Sequence, residues 1–311
     1  ISSKVLAEKT ILLLWAAIAL IIGFGVKAGM FPLHSWLPKV HPLAPAPASA
    51  VLSAVIVKAG VLGIIRSIFY VFGGDKLRGT WVQYAWMVLA LATVFMGSML
   101  AYREPVLKKR LAYSTVSQLS YILFGLSVLS PAGITGGLLH VLGHGFIKAV
   151  LFLSAGAIIH HTGMTRVEDM RGIGRKMPLI MYCYTIASLG LIGIPPTGGF
   201  ISKWYLAMAS LQSKIPVFAW LGVVILLISA LLTAGYLLQP VMIGFFPGAD
   251  FAASIEDDDG KAITNVESEK ETLGNILMGA PILILTILSV LLGLFPDFFV
   301  NYIEQIAGLL V

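Results

Sequence analysis

Long apolar segments recur along the whole chain and are separated by short, more polar stretches. They lie at roughly residues 11–26 with a broken continuation to 40, and then at 46–71, 81–101, 106–129, 132–160, 178–211, 216–246 and 272–301. A run of about 18 or more apolar residues is long enough to cross the hydrocarbon core of a bilayer as a helix. The short alternating strands of a membrane barrel are not seen. The pattern predicts an all-α, polytopic transmembrane bundle of about eight spans.

Two of these segments contain helix breakers, and each break is close to a lysine. The breakers are Gly29 and Pro32 just after Lys27 in the first segment, and Pro195, Pro196, Gly198 and Gly199 just before Lys203 in the sixth. Proline removes a backbone donor, and lipid cannot satisfy the backbone groups that a break frees, so broken helices line protein-buried or watery cavities. Paired breaks are also typical of inverted-repeat transporters. For either break taken alone, a packing kink is the alternative.

The composition agrees with a membrane protein. Only 12% of the 311 residues are charged and 58% are hydrophobic, whereas soluble domains average about 25% charged residues. The net charge of +6 does not indicate nucleic-acid binding, because most basic residues lie in short loops. The single cysteine, Cys183, excludes an internal disulfide. We predict one integral membrane domain over residues 1–311, with the acidic stretch 247–271 as a solvated cytoplasmic loop.

The basic loop residues predict an orientation. With eight crossings, eleven of them share one side: Lys39, Arg103, Lys108, Lys109, Arg110, Arg166, Arg171, Arg175, Lys176, Lys261 and Lys270. The other side holds five: Lys4, Lys9, Lys76, Arg78 and Lys214. Lys and Arg are retained on the cytoplasmic side of membranes. We therefore expect a protein of the cell (inner) membrane, with both ends of this chain on the non-cytoplasmic side.

The remaining basic residues fall within or at the edge of apolar segments. They are Lys27, Lys58, Arg66, Lys148 and Lys203. An ionisable group at membrane depth is costly, so it normally faces a bundle interior or a wet cavity; Arg66, near a helix end, could instead snorkel to the interface. None of the fifteen acidic residues lies in the middle of a span. The buried lysines therefore need a carboxylate from outside this chain, or must spend part of their time uncharged. Since the chain also begins with Ile1 rather than Met, we expect that a preceding segment is missing.

The fifth segment adds histidines to this set. His140, His144 and Lys148 are spaced four residues apart and therefore share one stripe of a helix. Histidine titrates near neutral pH and can pass a proton through either ring nitrogen, so the stripe predicts a polar relay. Histidines that simply pack between helices are the structural alternative. His140 and His144 could also bind a metal, but no third ligand is apparent.

Four ordered motifs resemble those of one known family. They are KAGMFPLHSWLPKVHPLAPAPASAVLSAVIVKAGVLGIIRS, KKRLAYSTVSQLSYI, HGFIKAVLFLSAG and GIPPTGGFISKW, within residues 11–246. The chain resembles the antiporter-like membrane subunits of respiratory complex I, of Mrp cation/proton antiporters and of membrane-bound hydrogenases. This resemblance implies a fold of fourteen core helices in two inverted repeats with the seventh and twelfth helices broken, of which this chain matches helices seven to fourteen.

The resemblance also implies site residues. Lys27 matches the seventh-helix lysine, Lys58 the eighth-helix lysine and Lys203 the twelfth-helix position; the eleventh-helix relay falls on His140, His144 and Lys148, and the histidine after the seventh-helix break on His34. The family's fifth-helix glutamate, partner of the seventh-helix lysine, has no counterpart here. The first six helices could precede this chain, lie on another chain or be absent.

The function implied by the resemblance is proton, or cation/proton, translocation through a mid-membrane Lys/His relay from Lys27 to Lys203. The expected partners are the lipid bilayer and other membrane subunits of a redox-driven or Mrp-type complex, one of which supplies the missing glutamate. No pattern here binds flavin, iron–sulfur clusters or nicotinamide, so we expect no cofactor and no redox or hydrolytic site in this chain. The alternatives are a non-pumping structural subunit with an incomplete proton path, and an unrelated secondary transporter of small solutes.

Overall fold

A computed structural model describes residues 3–247 and 268–310, and helices form almost all of this part of the chain. The main helices are α1 (Ser3–Ala28), α2 (Trp36–Leu43), α3 (Ala46–Phe72), α4 (Trp81–Arg103), α5 (Leu107–Ser127), α6 (Pro131–Thr162), α7 (Pro178–Ile192), α8 (Gly198–Leu211), α9 (Pro216–Phe245), α10 (Ser268–Leu294) and α11 (Pro296–Leu310). Several of them begin at a proline, whose missing N–H is not needed in the first turn. No β-sheet forms in the described ranges.

The predicted all-helical membrane fold is confirmed. Among the described residues, six helical stretches are long and apolar enough to cross a membrane: Thr10–Ala28, Ala46–Phe72, Trp81–Arg103, Pro131–Thr162, Pro216–Phe245 and Leu277–Leu294. α5 is also as long as a span, but three basic residues begin it, and α7 and α8 are the two halves of the broken sixth segment. Most of the acidic stretch 247–271 lies outside the described residues.

The 32-residue α6 is the centre of the bundle. It packs against α3, α5, α7, α8, α10 and α11, and most of its side chains are buried. A helix this rich in glycine lets its neighbours approach closely: a Cβ at Gly136 would lie 2.9 Å from the backbone nitrogen of Leu206 in α8. Small residues are the usual means of close helix packing in membranes. Side chains on nearly every face of α6 therefore lie in the interior of the bundle.

Two corrections concern segment ends and loop charges. The eighth predicted segment, 272–301, is not one helix, because α10 ends at Leu294 and α11 begins at Pro296. Pro296 has no backbone N–H and therefore cannot continue the hydrogen bonds of α10. α11 is amphipathic and packs its buried residues, such as Ile303, against α6.

Arg110, which we predicted to be a loop charge, is instead buried at the start of α5. Its Nε donates to the Glu104 carbonyl oxygen (2.7 Å), and its Nη1 donates to the Tyr236 carbonyl oxygen (3.0 Å) and to Oε1 of Gln239 (2.8 Å). Tyr236 lies four residues before Pro240, which is inside α9 and has no N–H to offer it. Arg110 thus satisfies a carbonyl that the proline leaves free, and so ties α5 to α9.

Candidate functional site

Lys58 lies in the middle of α3, only 5% exposed, between α3 and α6. Its ammonium donates to the carbonyl oxygen of Ala54 one turn earlier. The turn Leu52–Ile56 is π-helical, with Val57 N–H bonding to Leu52, and such turns often mark functional sites. The Lys58 ammonium also lies over Gly145 of α6, 3.2 Å from where a Cβ would be. Lys58 is therefore placed against the helix that carries the histidines.

His140 and His144 form a buried stack on α6. Their ring centroids are 5.9 Å apart, and both side chains are at most 2% exposed. Neither nitrogen of His144 has a hydrogen-bond partner in the described part of the chain, although both are buried. Buried polar groups are rarely left unpaired. His144 is thus a histidine with free ring nitrogens, next to Gly145 and hence to Lys58.

His140 has a polar partner on each side. Its Nε2 contacts Oε1 of Gln118 on α5 (3.1 Å), and its Nδ1 contacts the Ser202 hydroxyl on α8 (2.9 Å). The Ser202 hydroxyl is also 3.1 Å from the Gly199 carbonyl oxygen. A hydroxyl can turn, so it can donate to a neutral Nδ1, or accept from a protonated Nδ1 while donating to Gly199. The site accommodates both charge states of His140.

Lys203 bridges the break between α7 and α8. Its ammonium donates to the carbonyl oxygens of Leu191 (2.6 Å) and Ile192 (2.9 Å), at the end of α7. The last carbonyls of a helix have no partner within it, so Lys203 caps a helix end inside the bundle. The same ammonium lies 5.1 Å from the ring centroid of Tyr121, and the Tyr121 ring also stacks on His140 at 5.5 Å. Tyr121 therefore contacts both Lys203 and His140.

Lys148 is fully buried, and its ammonium is bound by α5. Its ammonium donates to the carbonyl oxygen of Leu111 (2.9 Å) and to the hydroxyl of Ser114 (2.5 Å), both in the first half of α5. Since Lys148 lies one turn beyond His144, the order along α6 is His140, His144, Lys148. The Lys148 ammonium therefore contacts α5, whereas Tyr121 contacts both His140 and Lys203.

Both predicted breaks are present in the backbone. α1 ends at Ala28, followed by Gly29 with φ +77°, and α7 ends at Ile192, followed by Gly193 with φ +92°. A positive φ is a common helix stop and favours glycine. Pro32, Pro195 and Pro196 lie in the two connecting turns, whereas Gly198 and Gly199 begin α8.

The first break is held by side chains of the bundle. The Trp36 indole donates to the carbonyl oxygen of Val26 (2.9 Å), and the backbone N–H of Phe31 donates to Thr93 of α4 (3.0 Å). His34 lies in this turn, partly buried, with its ring 6.5 Å from the ring of Tyr113, and its Nδ1 has no hydrogen-bond partner among the residues that the structure describes. Its place at the break differs from that of the α6 histidines.

Lys27 is the exposed member of the predicted set. It lies on the outer surface of α1 and makes no hydrogen bond or ion pair with the residues that the structure describes. Gly60 of α3 sits against this turn, since a Cβ there would be 2.5 Å from the Phe24 carbonyl oxygen and 3.1 Å from Cβ of Lys27. Lys27 and Lys58 are therefore on touching helices, but only Lys58 is enclosed.

Sequence reasoning missed the uncharged polar residues of the site and one histidine. These residues are Gln118, Ser202, Ser114 and Tyr121, together with His41. The His41 ring is completely buried and stacks on Phe152 with a centroid distance of 4.5 Å. A single Ser or Gln in an apolar helix is a weak signal of a functional site. The sequence feature that could have revealed these residues is the high density of polar residues in STVSQLS (114–120). Among the described residues, no group of three His, Cys, Asp or Glu side chains could hold a metal ion.

Comparisons with known proteins identify relatives over most of the chain. Residues 3–229 match the family model described as NADH:quinone oxidoreductase/Mrp antiporter, transmembrane. NADH-quinone oxidoreductase subunit N of Desulforudis audaxviator is 36% identical over 94% of this chain and 57% of its own length. Hydrogenase-4 component B of Escherichia coli is 40% identical over 59% of this chain and 29% of its own length. A chain of the Mrp complex from Dietzia sp. superposes with a TM-score of 0.78 at 25% identity, covering 99% of this chain and 60% of that one.

These matches agree with the fold and the motifs described above, and the chain spans about half the length of relatives such as subunit N. The chain is an integral membrane protein with the helical fold of antiporter-like subunits, and it belongs to the NADH:quinone oxidoreductase/Mrp antiporter transmembrane family.

Proposed function

We propose that the chain carries protons through the membrane as the antiporter-like subunit of a larger complex. The single observation that supports this most strongly is the row of Lys58, His144, His140 and Lys203 inside the bundle, with no carboxylate near it among the described residues. Buried ionisable groups in membrane helices are costly and usually functional. Its relatives, named above, are subunits of quinone oxidoreductase, hydrogenase and Mrp complexes.

The proposed path follows the contacts rather than the sequence order. Lys58, which lies against Gly145, transfers a proton to the adjacent His144. The ring nitrogens of His144 then exchange this proton with His140. Ser202 turns as His140 changes charge, and Lys203 receives the proton beyond Tyr121. Lys148, bonded to Ser114, is a side branch of this row.

Water is the expected link where side chains do not touch. The Gln118 amide nitrogen and both His144 nitrogens are buried without protein partners in the described part of the chain. Such groups are the usual sites of buried water. The breaks at Gly29 and Gly193 free backbone groups that lipid cannot satisfy, so we expect water inside the bundle to reach them.

Lys27 starts the path and needs a partner from outside this chain. Its exposed position on α1 leaves room for a neighbouring helix that carries the glutamate expected from the family, and His34 lies in the turn that forms the break. That helix could belong to a preceding segment or to another subunit. Protonation of Lys27, set by its glutamate partner, would then control exchange with Lys58 electrostatically.

We further propose that the end bearing Lys108 and Arg110 is cytoplasmic, from the distribution of basic loop residues. Cys183 is buried, so a new surface cysteine reports its own side. Lys39→Cys should react with an impermeant maleimide only from the cytoplasm, and Lys214→Cys only from the outside. The reverse labelling would overturn the orientation.

Substitution of Lys58 in the intact complex tests the function. Lys58→Ala should abolish proton translocation by this subunit while the complex assembles, and the exposed Lys76→Ala is the control. Unchanged translocation would favour the alternative, a structural subunit without a complete path. A small-solute transporter would instead work when the chain alone is placed in liposomes.

A further inference from the structure

A cavity of about 640 Å³ opens on the outer surface of the bundle, at the end where α6 terminates. Its walls are largely apolar and include Ala46 at the start of α3, Leu153 and Ala157 of α6, and Met278 of α10. Its volume lies within the range of about 300–1,000 Å³ typical of small-molecule sites. Because its walls belong to the membrane-spanning helices α3, α6 and α10, an apolar lipid chain fits such a cavity.

The ammonium of Lys108 and the imidazole of His160 also line this cavity. The Lys108 ammonium donates to the carbonyl oxygen of Ala44 (3.0 Å), which leaves two of its N–H donors free. Its neighbour Lys109 is paired with Glu104 at 2.8 Å. Among the residues whose side chains are described, no carboxylate pairs with Lys108, so the cavity combines apolar walls with a cation that no described acid neutralises.

A second cavity, of about 250 Å³, adjoins the first. It shares Ala157 and Met278 with it and is lined by His161 and Lys176. Each of the two cavities therefore combines apolar walls with a lysine, and both contact Met278 of α10.

We propose that the larger cavity is a binding site for an anionic phospholipid. The phosphate lies between Lys108 and His160, and an acyl chain lies along Leu153 and Met278. Basic pockets between transmembrane helices are suited to anionic head groups, with about 1 kcal/mol from each nearby cation. A zwitterionic lipid brings its own ammonium to the same place and loses this advantage. The site is independent of the proton path and does not depend on it.

Lipid titration of the delipidated protein, purified in its complex, tests the proposal by native mass spectrometry. Phosphatidylglycerol should bind more tightly than phosphatidylcholine. Lys108→Ala should weaken phosphatidylglycerol about fivefold and leave phosphatidylcholine unchanged, whereas the exposed Lys39→Ala on the same side should change neither. Met278→Trp, at the partly exposed edge of the cavity, should weaken both lipids by filling the space for the chain.

Three results would overturn the site. Equal binding of the two lipids, or a loss with Met278→Trp but not with Lys108→Ala, would leave an apolar groove without head-group recognition. Full competition by inorganic phosphate would indicate an anion site that needs no lipid.

Discussion

The Lys203 ammonium donates to the carbonyl oxygen of Leu191, 2.6 Å away across the break between α7 and α8. The lysine that we propose as a proton carrier therefore also completes a helix end. Holding an ammonium on two backbone carbonyls stabilises its charged form without any carboxylate. Release of the proton weakens this cap, which links the charge of Lys203 to the geometry of the break.

Two substitutions of Lys203 should separate its structural role from its proton-carrying role. Lys203→Gln keeps a donor for the Leu191 carbonyl but cannot titrate, whereas Lys203→Leu removes the donor. A buried carbonyl left without a partner costs about 1–3 kcal/mol. We expect both variants to lose proton translocation, and only Lys203→Leu to lower the Tm of the complex clearly. Equal Tm losses would contradict the capping role, and translocation by Lys203→Gln would contradict the carrier role.

Gly145→Ala should slow proton translocation without destabilising the helix. The added Cβ would lie 3.2 Å from the Lys58 ammonium, so Lys58 must move away from α6. Alanine is nevertheless the better helix former, by about 1 kcal/mol. Gly143→Ala is the matched control, because its Cβ has no neighbour closer than 3.8 Å. Translocation rates and Tm measured together decide the matter; equal rates for the two variants would remove Gly145 from the path.

Ser202→Ala should reduce the translocation rate by about two- to tenfold, the equivalent of one hydrogen bond of about 0.5–1.5 kcal/mol. The variant keeps His140 and its contact with Gln118 but removes the hydroxyl that adapts to both charge states. Ser210→Ala on the same helix is the control, since its buried hydroxyl donates to the carbonyl oxygens of Phe218 and Ala219, away from His140. Rates that fall equally in both variants would assign the effect to packing of α8.

Arg110→Leu should lower the Tm of the protein, by the loss of hydrogen bonds worth about 1.5–3 kcal/mol each when one partner is charged. Pro240→Ala restores an N–H for the Tyr236 carbonyl, so Arg110→Leu should cost less in that background. A double-mutant cycle measures this coupling, with the exposed Arg103→Leu as control. Strictly additive effects of Arg110→Leu and Pro240→Ala would contradict the proposed relationship.

Hydropathy predicted the segments because membrane spans need long apolar runs, and it predicted the breaks because proline and glycine act locally. It placed Arg110 in a loop because its neighbours Lys108 and Lys109 are polar. Arg110 is buried because its guanidinium donates to the Tyr236 carbonyl oxygen. That carbonyl is free because Pro240, far along the chain from Arg110, has no N–H to offer it. Hydropathy also missed the division of the last segment into α10 and α11 at Pro296, because the residues on both sides of this proline are apolar.

The lysines and histidines of the site were recognisable because a charge at membrane depth is costly wherever the helix packs. Their spatial order was not recognisable. It depends on the packing of α8, which places Ser202 against His140, and on the packing of α5, where Ser114 accepts a hydrogen bond from Lys148. Gln118 and Ser202 are neutral, and they become informative only when the fold places them against His140.

The most direct test of the proton row is translocation by the assembled complex carrying His144→Leu, because His144 is the step between Lys58 and His140. Proton movement is followed with a pH-sensitive dye in proteoliposomes, with subunit composition checked in parallel. The control is Ser154→Ala, which removes a buried hydroxyl on the same helix that has no hydrogen-bond partner in the described ranges. We predict that His144→Leu loses the translocation carried by this subunit while Ser154→Ala retains it. Full translocation by a correctly assembled His144→Leu complex would contradict the account.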